Sequence, residues 1–577
     1  MGGFKCPRCG GTMKFDEESG RVRCEYCGTQ MSAEEYDAET SAGAAQETVL
    51  HAADEPDPGT NAADGAEPAL ETSEDHVLPD DQATQMDVVV YTCKSCGAEL
   101  VSLENEIVSF CSYCGNESML EGKLTRADMP RLVIPFSVSR EECARRFREE
   151  MKTKPFVPRI YRTGDFENEF RGIYVPFWVY EVHFPRDVNV KATYEYTEGE
   201  YDCTESIDVH LNVGGRFEGV PQDASSQLND EITQELMPFD VSKARPFSKA
   251  YLSGYYADRA DVPPSVYERD AKIRAIDSVI EDANRRLPRG TITSMTDEAK
   301  LIRFKPTVTS YAALFPVWFL TRKWNGRVCY AVVNGESGKV HTDLPVDLRS
   351  YLIGSLLLAL PIFGLLCLLL TVTAKAALGL CTAGMLAALG LFIYEIMQAG
   401  HREYHVGDKG YPGNRMSAAG SASKKMSGGA GVVKTAAAGA VKSGTGGGTR
   451  TADQAMRVRD LWDVPMIAML VLGAFVMIAN PEAGALILCA AALYTALRAA
   501  LKVPDMKCVQ IIIPVAVIVA AIAIIWLRQP VQDWWYYLCC ILCLAGILLV
   551  VIGMFRRYNY VATRSIPVYH ERRSSGG

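Results

Sequence analysis

The sequence lacks the short motifs that mark the common enzyme classes. It has no GxSxG elbow, no HExxH pair and no Rossmann glycine fingerprint, so nothing in it supports a serine hydrolase, a zinc protease or a dinucleotide-dependent enzyme. Gly335–Val340 resembles a phosphate loop only faintly, because its glycines are too close together and Val340 stands where a Mg²⁺-binding Ser or Thr is needed. His183, His210 and His341 have no partner at metal or triad spacing, and we interpret them as ordinary sheet residues. We therefore expect a protein that is not an enzyme.

Two further absences concern charge and targeting. Between Glu34 and Asp87 the chain has sixteen Asp and Glu and no Lys or Arg, whereas the whole chain has a net charge of −10. This segment also has few large apolar residues, so 31–87 is predicted to be a disordered acidic linker. No apolar signal segment opens the sequence, and we expect its cysteines to remain in a reducing compartment.

The strongest chemical signal is a four-cysteine unit that occurs twice. In each copy fourteen residues separate two CxxC pairs, and a glycine follows the second and fourth cysteines. Four thiolates held by two tight turns match the tetrahedral shell of soft ligands that Zn²⁺ prefers. A disulfide framework, or iron in the same cage, are the alternatives. The predicted ligands are Cys6, Cys9, Cys24 and Cys27 for one zinc ion, and Cys93, Cys96, Cys111 and Cys114 for the other.

Each predicted site is closed, because cysteine occupies all four positions and none is left for water or substrate. Closed sites are structural, so we expect the ribbons to serve recognition or folding. The first ribbon, at 1–30, would hang on the acidic linker and range freely, whereas the second, at 88–122, would be fixed beside a folded domain.

Residues 123–348 are predicted to form a cytoplasmic α+β domain with an antiparallel sheet. Ser139 begins a capping box that opens one helix, and Ser265 opens a second, longer helix. Asn325-Gly326 is the strongest hairpin signal in the chain. Strands are predicted at Ile173–Phe184, Val188–Tyr196, Ser206–Val213, Leu301–Lys305 and Leu314–Trp324.

The last part of the chain consists of six long apolar runs, each of roughly the length needed to cross ~30 Å of hydrocarbon. They form three predicted transmembrane hairpins, at 349–400, 464–501 and 508–556. The Gly/Ala/Ser-rich loop 401–463 has ten Lys and Arg, and the tail 557–577 also opens with a basic residue. The positive-inside rule therefore predicts that both termini are cytoplasmic. The span interiors hold no ionisable group, which argues against a proton-coupled carrier.

The predicted architecture is thus multidomain: two small four-cysteine zinc ribbons, an α+β soluble domain with antiparallel sheet, and an all-α membrane domain of six transmembrane helices. The units Cys-Pro-Arg-Cys-Gly … Cys-Glu-Tyr-Cys-Gly and Cys-Lys-Ser-Cys-Gly … Cys-Ser-Tyr-Cys-Gly resemble transcription-factor-IIB-type zinc ribbons. The layout, including Tyr174–Tyr180 and Phe315–Gly338 before the spans, resembles poorly characterised multi-pass membrane proteins of Gram-positive bacteria that carry such ribbons. The resemblance implies metal binding and a place in the cell membrane, and it implies no activity.

These observations lead to one main functional hypothesis and two alternatives. We expect a non-enzymatic, membrane-anchored zinc-ribbon protein with two zinc ions, one per ribbon, that binds or positions a protein partner at the cytoplasmic face of the lipid bilayer. The second hypothesis is a small-solute transporter or channel with a regulatory zinc-binding head. The third is a membrane-tethered nucleic-acid binder, although the basic loop lacks the aromatic residues on which bases stack.

Overall fold

A computed structural model describes most of the chain. The described residues are 4–40, 85–102, 111–116, 121–185, 187–287, 290–369, 373–403, 405–412, 414, 464–479, 481–502, 509–528 and 530–563. Most of the predicted acidic linker, most of the basic loop and most of the tail therefore lie outside the described residues.

The first ribbon is a small antiparallel sheet. Its strands are β1 Met13–Asp16, β2 Arg21–Cys24 and β3 Gln30–Met31, and helix α1 follows at 33–40. The prediction of a disordered linker is therefore wrong at 33–40, where Ala33 and Tyr36 are buried against the ribbon core. Phe15 pairs with Val22 on the buried face, while Lys14 pairs with Arg23 on the exposed face. This alternation gives the ribbon one apolar face that has to be covered.

Fourteen further strands follow. They are β4 Gln85–Thr92, β5 Glu99–Ser102, β6 Glu121–Asp128, β7 Leu132–Val133, β8 Arg171–Phe184, β9 Asp187–Glu198, β10 Tyr201–Asn212, β11 Gly215–Asp223, β12 Arg245–Pro246, β13 Tyr256–Ala257, β14 Thr291–Ile292, β15 Thr307–Trp324, β16 Arg327–Asn334 and β17 Val340–Asp343. Eleven form one sheet, with the path β12-β7-β15-β8-β13-β5-β4-β6 and with β11, β16 and β17 attached beside it, and β9, β10 and β14 form another. Most neighbours are antiparallel, as predicted.

The centre of the large sheet is the long antiparallel pair of β8 and β15. Side chains from both strands are buried on both faces of the sheet, as in the fully buried Phe177 and Trp318. The Trp318 indole N–H donates to the Val138 carbonyl at 2.8 Å, which satisfies its one polar group inside the core. Asn325 and Gly326 both have positive φ and join β15 to β16, which confirms the predicted hairpin.

Helices cover the head, by which we mean residues 4–347 as described. Ser139 caps α2 by accepting from the backbone N–H of Glu142 at 3.3 Å, as predicted. The long helix starts at Glu268, after a 3-10 turn, and not at Ser265. The head helices after α1 are α2 Arg140–Thr153, α3 Arg159–Thr163, α4 Asp230–Leu236, α5 Glu268–Arg286 and α6 Asp297–Phe304.

The strand predicted at Leu301–Lys305 is wrong, because these residues end helix α6. Thr296 caps this helix by accepting from the Ala299 N–H at 3.4 Å, and two acidic residues occupy its first turn. Lys305 stops it in the left-handed conformation, with φ of 45°. Local capping chemistry outweighs the short apolar pattern that suggested a strand.

Six helices complete the described chain: α7 Leu348–Leu369, α8 Ala374–Glu403, α9 Val464–Ala479, α10 Pro481–Lys502, α11 Val509–Arg528 and α12 Trp534–Val561. Buried side chains of α8, α10, α11 and α12 form a shared apolar core. α7 is apolar all round, and many of its large side chains are exposed.

The prediction of six membrane spans is corrected by this structure. Among the described residues two helices are long and apolar enough to cross a membrane, Ala376–Glu403 and Trp534–Val561. The apolar stretches Leu348–Ile362, Leu486–Arg498 and Gln510–Ile525 are shorter, at 10–17 residues. α9 has 16 residues, which at about 1.5 Å per residue falls short of a ~30 Å hydrocarbon core.

Ion pairs, hydrogen bonds and a cation–ring contact attach the head to the ends of α8 and α12. Arg327, just after the β15–β16 turn, contacts Glu403 at 2.5 Å, and the exposed fractions of these side chains are 17% and 6%. The same guanidinium donates to the Thr563 carbonyl at 2.8 Å and lies 3.8 Å from the centre of the Tyr560 ring. Arg402 of α8 pairs with Glu231 of α4 at 2.6 Å.

Further hydrogen bonds join the head to α12 and to the residues that follow α8. Together with the contacts of Arg327 and Arg402, we call them the clamp. The backbone N–H of Val346 donates to Asn559 at 2.7 Å, and the Asn559 amide donates back to the Val346 carbonyl at 3.0 Å. After α8 the backbone N–H of Lys409 donates to Asp230 at 3.1 Å. Burial, followed by the nearby Asp408 carboxylate, raises the pKa of Asp230 to about 6. The head is thus packed against the helix ends through several independent contacts.

We predict that Arg327→Ala weakens this junction. The change removes the cation that faces the buried carboxylate of Glu403, and breaking a buried pair in this way costs about 3 kcal/mol. Arg285→Ala is the matched control, since its pair with Glu281 is 69% exposed on both sides and contributes little to stability in water. Denaturant unfolding of the full chain in detergent measures both variants, and equal losses would contradict the prediction.

Candidate metal centres

The first cysteine cluster is built by two tight knuckles at the ends of the ribbon strands. The Cys6 and Cys27 sulfurs lie 3.6 Å apart, and those of Cys9 and Cys24 lie 3.5 Å apart. In one knuckle Gly10, with φ of +71°, donates its backbone N–H to the Cys6 carbonyl at 2.8 Å. Glycine is favoured there because a side chain is strained at this φ.

The second cluster repeats this geometry inside the head. The Cys93 and Cys114 sulfurs lie 3.7 Å apart, as do those of Cys96 and Cys111. All four side chains are buried. In both clusters every sulfur lies within 4.8 Å of the other three.

These distances fit a tetrahedral zinc ion. A ZnS₄ tetrahedron with bonds of about 2.3 Å has edges of about 3.8 Å, whereas a disulfide requires about 2.0 Å. The observed sulfur separations of 3.5–3.7 Å match the first value. The two four-cysteine sites are therefore consistent with two zinc ions, one per ribbon, and the eight predicted ligands come together as the spacing indicated.

The second ribbon is joined to the central sheet of the head. Its strands β4 and β5 belong to that sheet through β13, so hydrogen bonds cross the boundary predicted at residue 122. The knuckle between Cys111 and Cys114 is also held from the sheet, because the Thr321 hydroxyl donates to the Ser112 carbonyl and the Tyr330 hydroxyl donates to the Tyr113 carbonyl. Zinc at this site would stabilise the sheet as well as the ribbon.

A buried carboxylate lies beside this knuckle. The Tyr113 hydroxyl donates to Asp258 at 2.7 Å, and Gln227 donates to the other carboxylate oxygen at 3.0 Å. Ser225 also donates to Asp258. Burial raises the pKa of Asp258 to about 7, against the opposing effect of the Ser225 and Tyr113 hydrogen bonds. The carboxylate positions the knuckle and contributes no ligand to the cluster.

The expectation that the first ribbon ranges freely is wrong. Its apolar face packs on the head, where the Phe15 and Tyr251 rings lie 5.3 Å apart. The Ser253 hydroxyl donates to the Met13 carbonyl at 2.5 Å, and the Phe15 N–H donates to the Ser253 carbonyl at 3.3 Å. The Tyr255 hydroxyl also donates to Glu17. The prediction of a free ribbon was made from the composition of the acidic linker. That composition gives no information about whether the ribbon itself binds to the head.

The sequence analysis did not identify the head residues that contact the two ribbons. Ser253, Tyr255 and Asp258 lie in a stretch that is rich in aromatic residues but has no helical or strand periodicity. Aromatic density between Pro246 and Pro263 is the one signal that could have drawn attention to it. The partner of each side chain is distant in sequence, so spacing alone could not identify it.

The three histidines do not join a metal site. His210 is exposed and lies near Asn189 and Asp187, and His341 lies 3.6 Å from Asp343. Across the described ranges, the groups of His, Cys, Asp or Glu close enough to hold a metal are the two cysteine clusters.

Comparison with known proteins agrees with the metal chemistry. A family described as TFIIB zinc-binding matches residues 4–45. An uncharacterised protein of Bacillus subtilis strain 168, YdjG, is 28% identical over 348 residues, which cover 60% of this chain and 90% of that protein. No solved structure matches the chain. The predicted resemblance to IIB-type ribbons is thus supported for the first ribbon, and the relative brings no activity with it.

We predict that Cys96→Ser lowers the retained zinc from two ions per chain to about one and lowers the thermal stability of the head. A hydroxyl is a poor zinc ligand, and the affected knuckle lies between β4 and β5, which belong to the central sheet. Cys143→Ser, which changes a buried thiol outside both clusters, should retain both ions. Metal analysis after gel filtration, with a thermal melt, measures the effect; a Cys96→Ser chain that keeps two ions would refute the assignment.

Proposed function

We propose that this protein is a non-enzymatic, membrane-anchored zinc-ribbon protein whose head binds or positions a protein partner at the cytoplasmic face of the membrane. In this proposal α8 and α12 cross the membrane, the shorter apolar helices pack beside them, and both termini are cytoplasmic. The observation that carries the proposal is the clamp of Arg327 and Arg402. Arg327 of the head pairs with Glu403 at the end of α8 and donates to the Thr563 carbonyl just after α12, and Arg402 of α8 pairs with Glu231 of the head.

The distribution of exposed apolar side chains supports the membrane. Among the described residues six large hydrophobic side chains are exposed before residue 350, and twenty-eight are exposed after it. Leu357 and Leu368 of α7, and Phe475 of α9, are 69%, 86% and 73% exposed. Contiguous apolar surface of this kind is costly in water and is satisfied in lipid.

Charge supports the orientation of the bundle. The head lies at the same ends of α8 and α12 as the basic loop and the Arg556-Arg557 pair, and basic segments favour the cytoplasmic side. In this orientation the head, and with it the thiolate clusters, would lie in the compartment that keeps cysteines reduced.

The closed metal sites favour a binding role for the head. A site with four cysteine ligands has no open position for water or substrate, so its zinc contributes folding free energy. The exposed face of the first ribbon carries Lys14, Arg21 and Arg23, of which Lys14 pairs with Glu25 at 2.7 Å, and Tyr26 of the same ribbon is 79% exposed. Exposed arginines and an exposed aromatic ring suit an acidic protein surface.

The same face favours one alternative, a membrane-tethered nucleic-acid binder. Phosphate is attracted to the Arg21 and Arg23 cations, and a base can stack on the Tyr26 ring. The match of residues 4–45 to a family described as TFIIB zinc-binding supports this use of the face.

If the bundle is embedded in a membrane, Leu544→Arg should lower the fraction of chain that inserts, whereas Ile160→Arg should not. Leu544→Arg places a charge on α12, where the side chain is 58% exposed and would face lipid, at a cost of about 3 kcal/mol. Ile160→Arg changes a 50% exposed side chain of the head and should have no effect on insertion. The measurement is the fraction of full-length chain that resists alkaline extraction from membranes, and equal fractions would contradict embedding.

The partner class is tested by photocrosslinking from the ribbon face. We expect a photoreactive amino acid at Tyr26 to capture a protein in native membranes, and one at Ile302, which is 72% exposed on α6, to capture none. An adduct that survives nuclease and is removed by protease supports the protein partner. An adduct removed by nuclease supports the alternative, and the absence of any adduct at Tyr26 refutes both uses of this face.

A further inference from the structure

The two zinc sites differ in their exposure to solvent. In the first, Cys9 and Cys27 are exposed, and both line an open depression together with Thr12 and Tyr26. In the second, no ligand side chain is more than 2% exposed. The two sites share a ligand set and nearly the same sulfur separations, so access is the property that separates them.

The second site is shielded by the head itself. Tyr113 is 2% exposed and contacts the Phe319 ring at 5.9 Å between centres. Gly115 packs against Thr321 of β15, and a Cβ atom added to Gly115 would lie 3.5 Å from the Thr321 methyl group. A competing ligand can reach this zinc only after the sheet opens. Access to the first site requires no such movement on the side of Cys9 and Cys27.

The surface beneath the first ribbon depends on that ribbon being folded. Tyr251, Leu252 and Tyr255 are 8%, 4% and 5% exposed, and Met13 and Phe15 of the ribbon belong to the same apolar cluster. So small a sheet needs its metal to fold. Loss of zinc from the first site would therefore release the ribbon and expose aromatic surface on the head.

We propose that the first ribbon is an exchangeable zinc site whose occupancy controls its docking on the head, whereas the second ribbon is a permanent structural site. In the zinc-loaded state the ribbon covers the segment Lys249–Ala257. Removal of this one ion frees the ribbon and uncovers Tyr251 and Tyr255. The proposal concerns ligand exchange only, with no change in the oxidation state of zinc or sulfur, and it does not depend on membrane anchoring.

Zinc release from the full-length chain in detergent tests the first part. With a chromophoric chelator in excess, we expect two phases of one equivalent each, the fast phase at least about tenfold faster than the slow one, because the surrounding shell controls access to a metal. Cys27→Ser, which changes an exposed ligand, should remove the fast phase and leave the slow phase unchanged. A single phase for both ions, or a Cys27→Ser chain that loses the slow phase, would overturn the proposal.

Hydrogen exchange tests the second part in the same sample. When the fast equivalent has left, the amides of residues 249–257 should lose protection, and protection should return when zinc is added back. Protection that is unchanged by loss of the first ion would show that docking does not depend on it, and would overturn the proposed control.

A pair of serine substitutions tests whether weaker docking of the first ribbon accelerates the release of its zinc. Ser253→Ala removes the hydroxyl that donates to the Met13 carbonyl, so it should accelerate the fast phase only. Ser242→Ala removes an exposed hydroxyl that contacts Asp240 and should change neither phase. An unchanged fast phase in Ser253→Ala, with the slow phase accelerated instead, would contradict the link between docking and the first zinc site.

Discussion

The hairpin of β15 and β16 is the element on which the other parts of the protein depend. Its Asn325-Gly326 turn sets a register in which Thr321 and Tyr330 are directly opposite each other. Both side chains donate to the knuckle of the second ribbon. The same register places Arg327 immediately after the turn, where it binds Glu403 at the end of α8. A one-residue shift of β16 against β15 would turn the β16 side chains to the opposite face of the sheet. The contacts of the sheet with the second ribbon and with α8 would then be lost at the same time.

This arrangement explains how two identical ligand sets acquire different roles. The second ribbon shares a sheet with the head, and its zinc stabilises a structure that is already extensively packed. The first ribbon touches the head through one small face, and two of its ligands remain in contact with solvent. The metal chemistry is the same at both sites, and the packing around each one distinguishes a structural element from an exchangeable one.

The sequence was most informative where a residue pattern acts locally. Cysteine spacing identified both metal sites, Ser139 identified a helix start, and Asn325-Gly326 identified a hairpin, because each depends on backbone geometry within a few residues. Prediction failed at Leu301–Lys305, where the cap at Thr296 decided the conformation. It also failed for the docked first ribbon. That contact joins Met13 to Ser253 across 240 residues, and no local pattern records such a pairing.

We propose that the zinc-ribbon head is mounted directly on an apolar helical bundle within a membrane. Single-particle electron microscopy of the full-length chain in lipid nanodiscs is the decisive test. We expect one orientation of the head, with its density continuous with the helix ends at the disc surface and the first ribbon resolved against it. If the density of the head is blurred by variable orientation, or is separated from the disc by a gap, direct mounting of the head on the bundle is wrong.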